Sequence, residues 1–373
     1  MIERTKLKFH RVDAFGDQNL EELTRKLVKF RTVEDNSNEL EESTSFVKAL
    51  FESENLYVKE FESGKKPSLL ISTHDTMKPD ILLHGHLDVV SADKRLFEPE
   101  EKNGKLYGRG TADMKGGVAC VIKTMKKINE KSSSYNVAIL LTTDEELGGF
   151  NGTGYLVDRG LKPGFVISAE PDDSGNFPSI VTRQKGVLQL KVVTEGESAH
   201  ASKPEKGVNA AEILIDKYQE IKDLFSDGDF PTTINLGKLE AGNEVNKVPE
   251  EAQMNLDVRC SRQYTADEVL KDIRSIKGIN VEITARAPMM EVSPEDSKVR
   301  ELAKAAGQIS GNEVELRKED YASDMRFFTS RDIPAVCFGP EGYHSHSEKE
   351  YVELDSMDEY VEIIERFIME AES

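Results

Sequence analysis

Positive charge is scarce in this chain. Lys and Arg together number 49 against 69 Asp and Glu, a formal charge of −20 over 373 residues. Such a balance cannot neutralise a phosphate backbone or an anionic lipid surface, so neither nucleic acid nor a membrane is an expected partner. Cysteine is equally sparse: Cys120, Cys260 and Cys337 are odd in number and far apart. That usage belongs to a reducing compartment rather than to a disulfide framework, and each thiol is expected as a small core residue. No window approaches the roughly 20 consecutive apolar residues that a membrane span requires, and the opening MIERTKLKFHRVDAF lacks the apolar stretch of a signal peptide. A cytoplasmic location is expected.

Apolar content is ample, at 38 % of residues, and there is no internal repeat or low-complexity tract. After an amphipathic helix near Leu20 to Phe30, short apolar runs recur at Ser68 to Ser72, Asp80 to Val90, Asn136 to Thr143 and Phe165 to Ala169. Helical patterns lie between some of them, at Met114 to Asn129 and Gly152 to Asp158. Continuous apolar runs alternating with amphipathic helices indicate an α/β domain whose sheet is buried on both faces.

From about Gly186 the rhythm changes. Val187 to Thr194 alternates as a strand, Asn209 to Leu224 is helical, Thr232 to Leu239 and Ala252 to Arg259 read as strands, Thr265 to Ile276 as a helix and Asn280 to Thr284 as a strand. This βαββαβ order is the ferredoxin-like motif. The first pattern then resumes with a helix at Asp296 to Gln308, a strand at Ala335 to Gly339 and a closing helix at Met357 to Ala371. The expected domains are a discontinuous α/β domain, 1–185 and 287–373, and an inserted α+β domain, 186–286.

The residues that carry chemistry fall at or just beyond strand ends, where open α/β sheets hold ligands. One apolar run ends in His84-Gly85-His86-Leu87-Asp88, another in Asp144-Glu145-Glu146, a third in Glu170; the loop after the last strand holds His344-Ser345-His346, and Asp113 lies in Gly110-Thr111-Ala112-Asp113-Met114-Lys115-Gly116. In so acidic a chain a three-acid run arises about twice by chance, and such runs are usually solvated. This one directly follows an apolar strand, where an unpaired charge is costly to bury. Of seven histidines, four sit in two His-x-His triplets beside carboxylates, whereas His10 and His74 read as ordinary polar groups. Two imidazoles and three or four carboxylates at one sheet edge suit two divalent metals sharing a carboxylate, and the N/O mixture favours zinc. Residues i and i+2 of a strand share a face, so Asp88 is expected to orient His86, which is expected as the ligand in preference to His84. Adjacent Glu145 and Glu146 would point differently, supplying a general base and a ligand.

The signatures from Gly85-His86-Leu87-Asp88 to His346-Ser347-Glu348-Lys349-Glu350, in that order over most of the chain, resemble the dinuclear zinc amidohydrolase and peptidase family of acetylornithine deacetylase, succinyl-diaminopimelate desuccinylase, aminoacylase and glutamate carboxypeptidase. The resemblance implies a zinc-hydrolase catalytic domain on a mixed sheet, with the inserted ferredoxin-like domain serving as lid and dimerisation surface. It implies that Asp113 bridges two Zn2+ ions (Co2+ being a substitute), that His86 and Glu170 complete one site, and that Glu146 and His346 complete the other. His346 is preferred to His344 on the family's His-x-x-x-Glu pattern, met by His346 and Glu350. Glu145 is then the general base, Asp88 the orienting carboxylate, and the Asp113-Met114 peptide bond cis.

The resemblance extends into the insertion. Gly196-Glu197-Ser198-Ala199-His200-Ala201-Ser202 matches the lid motif, in which the histidine, here His200, reaches the scissile carbonyl across a homodimer. Asn246 in Asn246-Lys247-Val248-Pro249 is similar to an oxyanion or substrate contact. Arg259 suits a substrate carboxylate, although a strand-end arginine is commonly a surface ion pair. Ser323, in the Ser-Asp-x-Arg core of Tyr321-Ala322-Ser323-Asp324-Met325-Arg326, is a further implied substrate contact. The family's glycines before that core are replaced here by Tyr321 and Ala322, which would reshape a pocket. The implied activity is hydrolysis of an amide in a small N-acylated amino acid, with an exopeptidase acting on dipeptide-like substrates as the alternative. A non-catalytic metal or amino-acid binder and a scaffold with a structural cation site are remoter alternatives.

Overall fold

The structure is a computed structural model that describes residues 19–131 and 134–371; the N-terminal segment with His10 lies outside the described residues. The chain forms two compact units. One comprises the described residues up to Pro178, Glu301–Val314 and the described residues from Phe338 onward; the other comprises Ser179–Arg300 and Glu315–Cys337.

The first unit is built on five strands in the spatial order Tyr57–Ser63, Lys66–Ser72, Val137–Thr142, Ile81–His86 and Phe165–Ser168. The first two pairings are antiparallel, and the last two are parallel. Every residue of Ile81–His86, Val137–Thr142 and Phe165–Ser168 is buried, as continuous apolar runs require of a sheet covered on both faces. The helix Gly116–Lys131 packs against two of these strands, and the closing helix Leu354–Ala371 packs on that helix in turn. The helix Leu20–Lys29 also lies on Gly116–Lys131. Asn19 caps it through its side chain, acids fill its first turn and lysines its last, all in the sense the helix dipole favours.

Because the three parallel strands run in register, His86 beside Thr142 and His84 beside Ser168, their C-terminal ends form one edge. A small antiparallel sheet, in the order Gly342–Tyr343, Tyr351–Glu353, Lys105–Tyr107 and Glu100–Lys102, pairs Tyr351 with Tyr107. It thereby brings the loop after Tyr343 beside the loop after Tyr107.

In the second unit, Gly186–Glu195, Glu251–Cys260, Thr233–Ala241 and Asn280–Ala287 make an antiparallel sheet with the fourth, first, third and second strands of the motif in that order. This is the ferredoxin-like arrangement. Alternation along Gly186–Glu195 and Glu251–Cys260 buries one face, including Leu188, Leu190, Met254 and Leu256, with Leu214 and Ile273 of the helices Ala210–Lys222 and Ala266–Ser275 in the same core. The latter helix starts from a Thr265/Glu268 capping box. The strand Ser179–Gln184 carries Glu315–Glu319 on a parallel pairing and Met290–Glu291 on an antiparallel one.

Candidate metal centre

His86 is the last residue of its strand and is 1 % exposed. His84, two residues earlier, is also buried, but its ring nitrogens face Ser168 Oγ at 3.0 Å and Thr153 Oγ1 at 3.1 Å. It is therefore consumed within the core. His86 Nδ1 sits 2.9 Å from the backbone oxygen of Asp88 and 3.5 Å from its Oδ1. The expected contact through the carboxylate is thus made chiefly by the carbonyl, because the strand stops at His86 and Asp88 is reached through a loop. The other carboxylate oxygen of Asp88 accepts from the Glu146 backbone N–H at 3.0 Å, so Asp88 ties the first strand end to the second.

Beyond Val137–Thr142 the chain turns through the short helix Glu145–Leu147 into Gly148 and Gly149, both at positive φ. Buried Asp144 holds this turn: its backbone oxygen accepts from Leu147 and Gly149, and its Oδ2 accepts from Asn151 N–H at 2.6 Å. Glu145 and Glu146 are half-buried on it. Asp113 precedes a cis peptide bond to Met114, as the family resemblance implied.

These loops converge. His86 Nε2 lies 3.0 Å from Asp113 Oδ1 and 4.0 Å from Glu170 Oε1. His346 Nε2 lies 3.2 Å from Asp113 Oδ2 and 3.2 Å from Glu146 Oε1. Each triad, His86–Asp113–Glu170 and Asp113–Glu146–His346, offers three ligand atoms within 4.8 Å of one another. Asp113 presents one oxygen to each histidine. His344 is placed otherwise, its ring against Tyr343 and Tyr351.

Electrostatics at the cluster fit a cation. Burial opposes ionisation of Asp113, yet hydrogen bonds from His346 and His86 hold its carboxyl well below the usual carboxylate range. Hydrogen bonds to Asp113 and Glu146 push His346 up to about 10. For His86 burial favours the neutral ring, but the Asp113 and Asp88 carboxylates raise it well above its ordinary value. Three carboxylates that pull protons onto two imidazoles exert the same pull on divalent ions, and the donors are the nitrogen and oxygen types such ions take. Glu146 Oε1 is shielded from water beside His346 Nε2, 3.2 Å away.

Two residues to which the sequence argument gave no role in the site, one of them named only as the end of the His346 signature, brace this cluster. Glu350 and Arg109 are both buried and ion-paired, and Glu350 Oε1 accepts from the backbone N–H groups of Ala112 and Asp113 at 3.2 and 3.1 Å. Burial pushes the Glu350 carboxyl up from its ordinary value, while the Arg109 guanidinium pulls it down. Lys115 is wholly buried, donates to Phe30 O at 2.7 Å, and is lowered by burial to about 7.

The remaining candidates lie in the second unit. His200 is exposed, and its Nδ1 accepts from Ser202 N–H at 3.1 Å, which leaves Nε2 as the protonated nitrogen of the neutral ring. The Ala201 N–H donates to Asn246 O and the Val248 N–H to Ala199 O, both at 2.9 Å, so His200 and Asn246 sit on two loops zipped together. Arg259 forms a two-pronged pair with Asp257, at 2.7 and 3.3 Å. Ser323 is buried; its hydroxyl donates to Gln184 Oε1 at 2.7 Å and lies 3.3 Å from Cys337 Sγ.

A family model described as peptidase family M20/M25/M40 matches residues 82–370, and the chain belongs to that family of hydrolases. It is 26 % identical over 341 residues to a succinyl-diaminopimelate desuccinylase of Rickettsia bellii, covering 84 % of this chain and 87 % of the relative. It is 28 % identical over 338 residues to an acetylornithine deacetylase of Aliivibrio salmonicida, covering 83 % and 86 %. In fold it resembles a tripeptidase from Staphylococcus aureus, with a TM-score of 0.77, 21 % identity, and coverage of 94 % and 97 %. No helix among the described residues is long and apolar enough to cross a membrane.

Proposed function

We propose that this enzyme hydrolyses the amide bond of a small N-acylated amino acid, in the manner of a deacetylase or desuccinylase. The observation that carries the reading is the double triad sharing Asp113, with Glu145 on the turn that holds one of its members. His86 and Glu170 would hold one Zn2+ ion, Glu146 and His346 the other, and Asp113 both. When bound, such ions lower the pKa of a water and polarise the scissile carbonyl. Glu145 takes the proton of the attacking water on its carboxylate and returns it to the leaving amine. Asp88 fixes the ring of His86 through its carbonyl. The Nε2–H of His200, delivered from a second copy in a homodimer, and the Asn246 amide donate to the developing oxyanion. Arg259, released from Asp257, takes the substrate carboxylate, and the Ser323 hydroxyl braces the loop that carries Tyr321. Three buried cysteines, none of them in a disulfide, support a reducing, cytoplasmic setting.

The test is a panel of N-acetyl, N-succinyl and dipeptide substrates with Zn2+ or Co2+, assayed with the parent and with Glu145→Gln. Turnover of an N-acyl substrate by the parent, reduced roughly 10²- to 10⁴-fold in the variant with metal content unchanged, is expected. Turnover of dipeptides alone would favour the exopeptidase alternative. Near-parental rates for Glu145→Gln would remove Glu145 from the chemistry.

A further inference from the structure

We propose that Glu350 is a positioning residue that sets the aim of Asp113 by fastening the Asp113 loop to the His346 loop; this rests on the reading of the double triad as a metal centre. Glu350 is 2 % exposed and Arg109 3 %. The three oxygens of Glu350 are all directed at one short stretch of chain. Its backbone oxygen accepts from Gly108 N–H at 3.1 Å. Its Oε2 pairs with Arg109 Nη1. Its Oε1 takes the successive N–H groups of Ala112 and Asp113 at 3.2 and 3.1 Å. Its chain neighbour Tyr351 pairs with Tyr107 in the small sheet, so the strand leading into the Asp113 loop is fixed to the strand leaving the His346 loop as well.

The chemistry demands a carboxylate. Three donors converge on two oxygens, and only an ionised carboxylate accepts at both. A glutamine would face an NH2 group either toward the Arg109 guanidinium or toward the two amides. An alanine would leave the Asp113 amide and a buried guanidinium without partners. Asp113 supplies one oxygen to each triad, so a rotation of its backbone disturbs both sites at once. Glu350 lies four residues after His346, and a single side chain therefore governs the spacing of the shared carboxylate and a terminal ligand.

The experiment measures uptake of Zn2+ and Co2+ by the full metal-free chain in competition with a chromophoric chelator, together with the Co2+ absorption spectrum and thermal melting. Two double variants separate positioning from the burial of charge. Arg109→Met with Glu350→Gln removes the buried cation but keeps an oxygen for the two amides, and should bind both ions within about 3-fold of the parent. Arg109→Met with Glu350→Ala removes the same charges and the anchor, and should bind them roughly 10- to 100-fold more weakly, the range for loss of a group that orients a ligand, with an altered Co2+ spectrum. The proposal is overturned if the alanine double variant binds both ions as tightly as the parent, or if the glutamine double variant loses as much affinity as the alanine one. Should the alanine variant fail to fold, the glutamine variant decides alone: parental affinity supports the proposal, and weakened affinity with intact melting ends it. A parent that takes up neither ion would overturn the metal-centre reading and this proposal together.

Discussion

Replacing Gly117 by alanine ought to stabilise a helix, and here it should do the opposite. Gly117 is the second residue of Gly116–Lys131, and an alanine inside a helix is favoured over glycine by up to about 1 kcal/mol. A Cβ built on Gly117 would stand 2.1 Å from the backbone oxygen of Ala169 and 3.0 Å from its Cβ. The nearest clash is with main chain, which cannot rotate aside, so helix and strand end must part by about 1 Å. Overpacking of this kind costs about 1–3 kcal/mol or more, and with a rigid partner the upper end applies, leaving a net loss of about 2 kcal/mol. Ala169 directly precedes Glu170, so the same displacement reaches a proposed ligand. A 1 Å misplacement can lower turnover roughly 10²-fold. Thermal melting of the metal-free and metal-loaded protein, with a metal titration alongside, checks both parts. Gly117→Ala protein that melts at or above the parent and binds metal unchanged would show that helix and strand end do not meet as described.

Further outcomes follow from the titrating groups and the loops. With His346 raised to about 10 in the metal-free protein, its imidazolium must lose a proton before it can ligate. Metal binding at pH 8 should therefore release protons and tighten as pH rises toward 10; calorimetry in buffers of differing ionisation heat measures this, and His346→Gln should release fewer. Lys115, lowered to about 7 from 10.5, binds its proton less readily folded than unfolded, so this group adds stability as pH rises from about 7 to 10.5. The melting temperature of the parent should gain on that of Lys115→Met over that interval, and a constant gap would refute the burial effect. If His200 serves the partner's centre, mixing inactive His200→Ala and Glu145→Gln chains should restore about a quarter of parental activity through mixed dimers; no recovery after verified exchange would place His200 within its own subunit.

The buried strands could be read from sequence because each is an uninterrupted apolar run, and the ferredoxin-like motif because its strands alternate strictly. Tyr57–Ser63 escaped because it lies at the end of the strand order with charged residues along it, and Glu315–Glu319 because four of its five residues are charged. The small sheet is made of strands two or three residues long, too short for any period to register. At the candidate site, the residues closing parallel strands were legible from position alone. The Asp88 contact was not, since it depends on where the strand stops. Glu350 and Arg109 lie 241 residues apart, and nothing local to either predicts that they meet.

His86, Asp113, Glu146 and Glu170 all lie in the first half of the sequence, whereas His346 follows only after the whole second unit has been traversed. During synthesis the growing polypeptide thus owns one complete set of donors long before it acquires the last member of the other. On the proposed reading, a product truncated anywhere ahead of His346 would carry the residues for one ion and lack a ligand for the other. Completion of the polypeptide would then itself be a checkpoint on the assembly of the proposed two-ion centre.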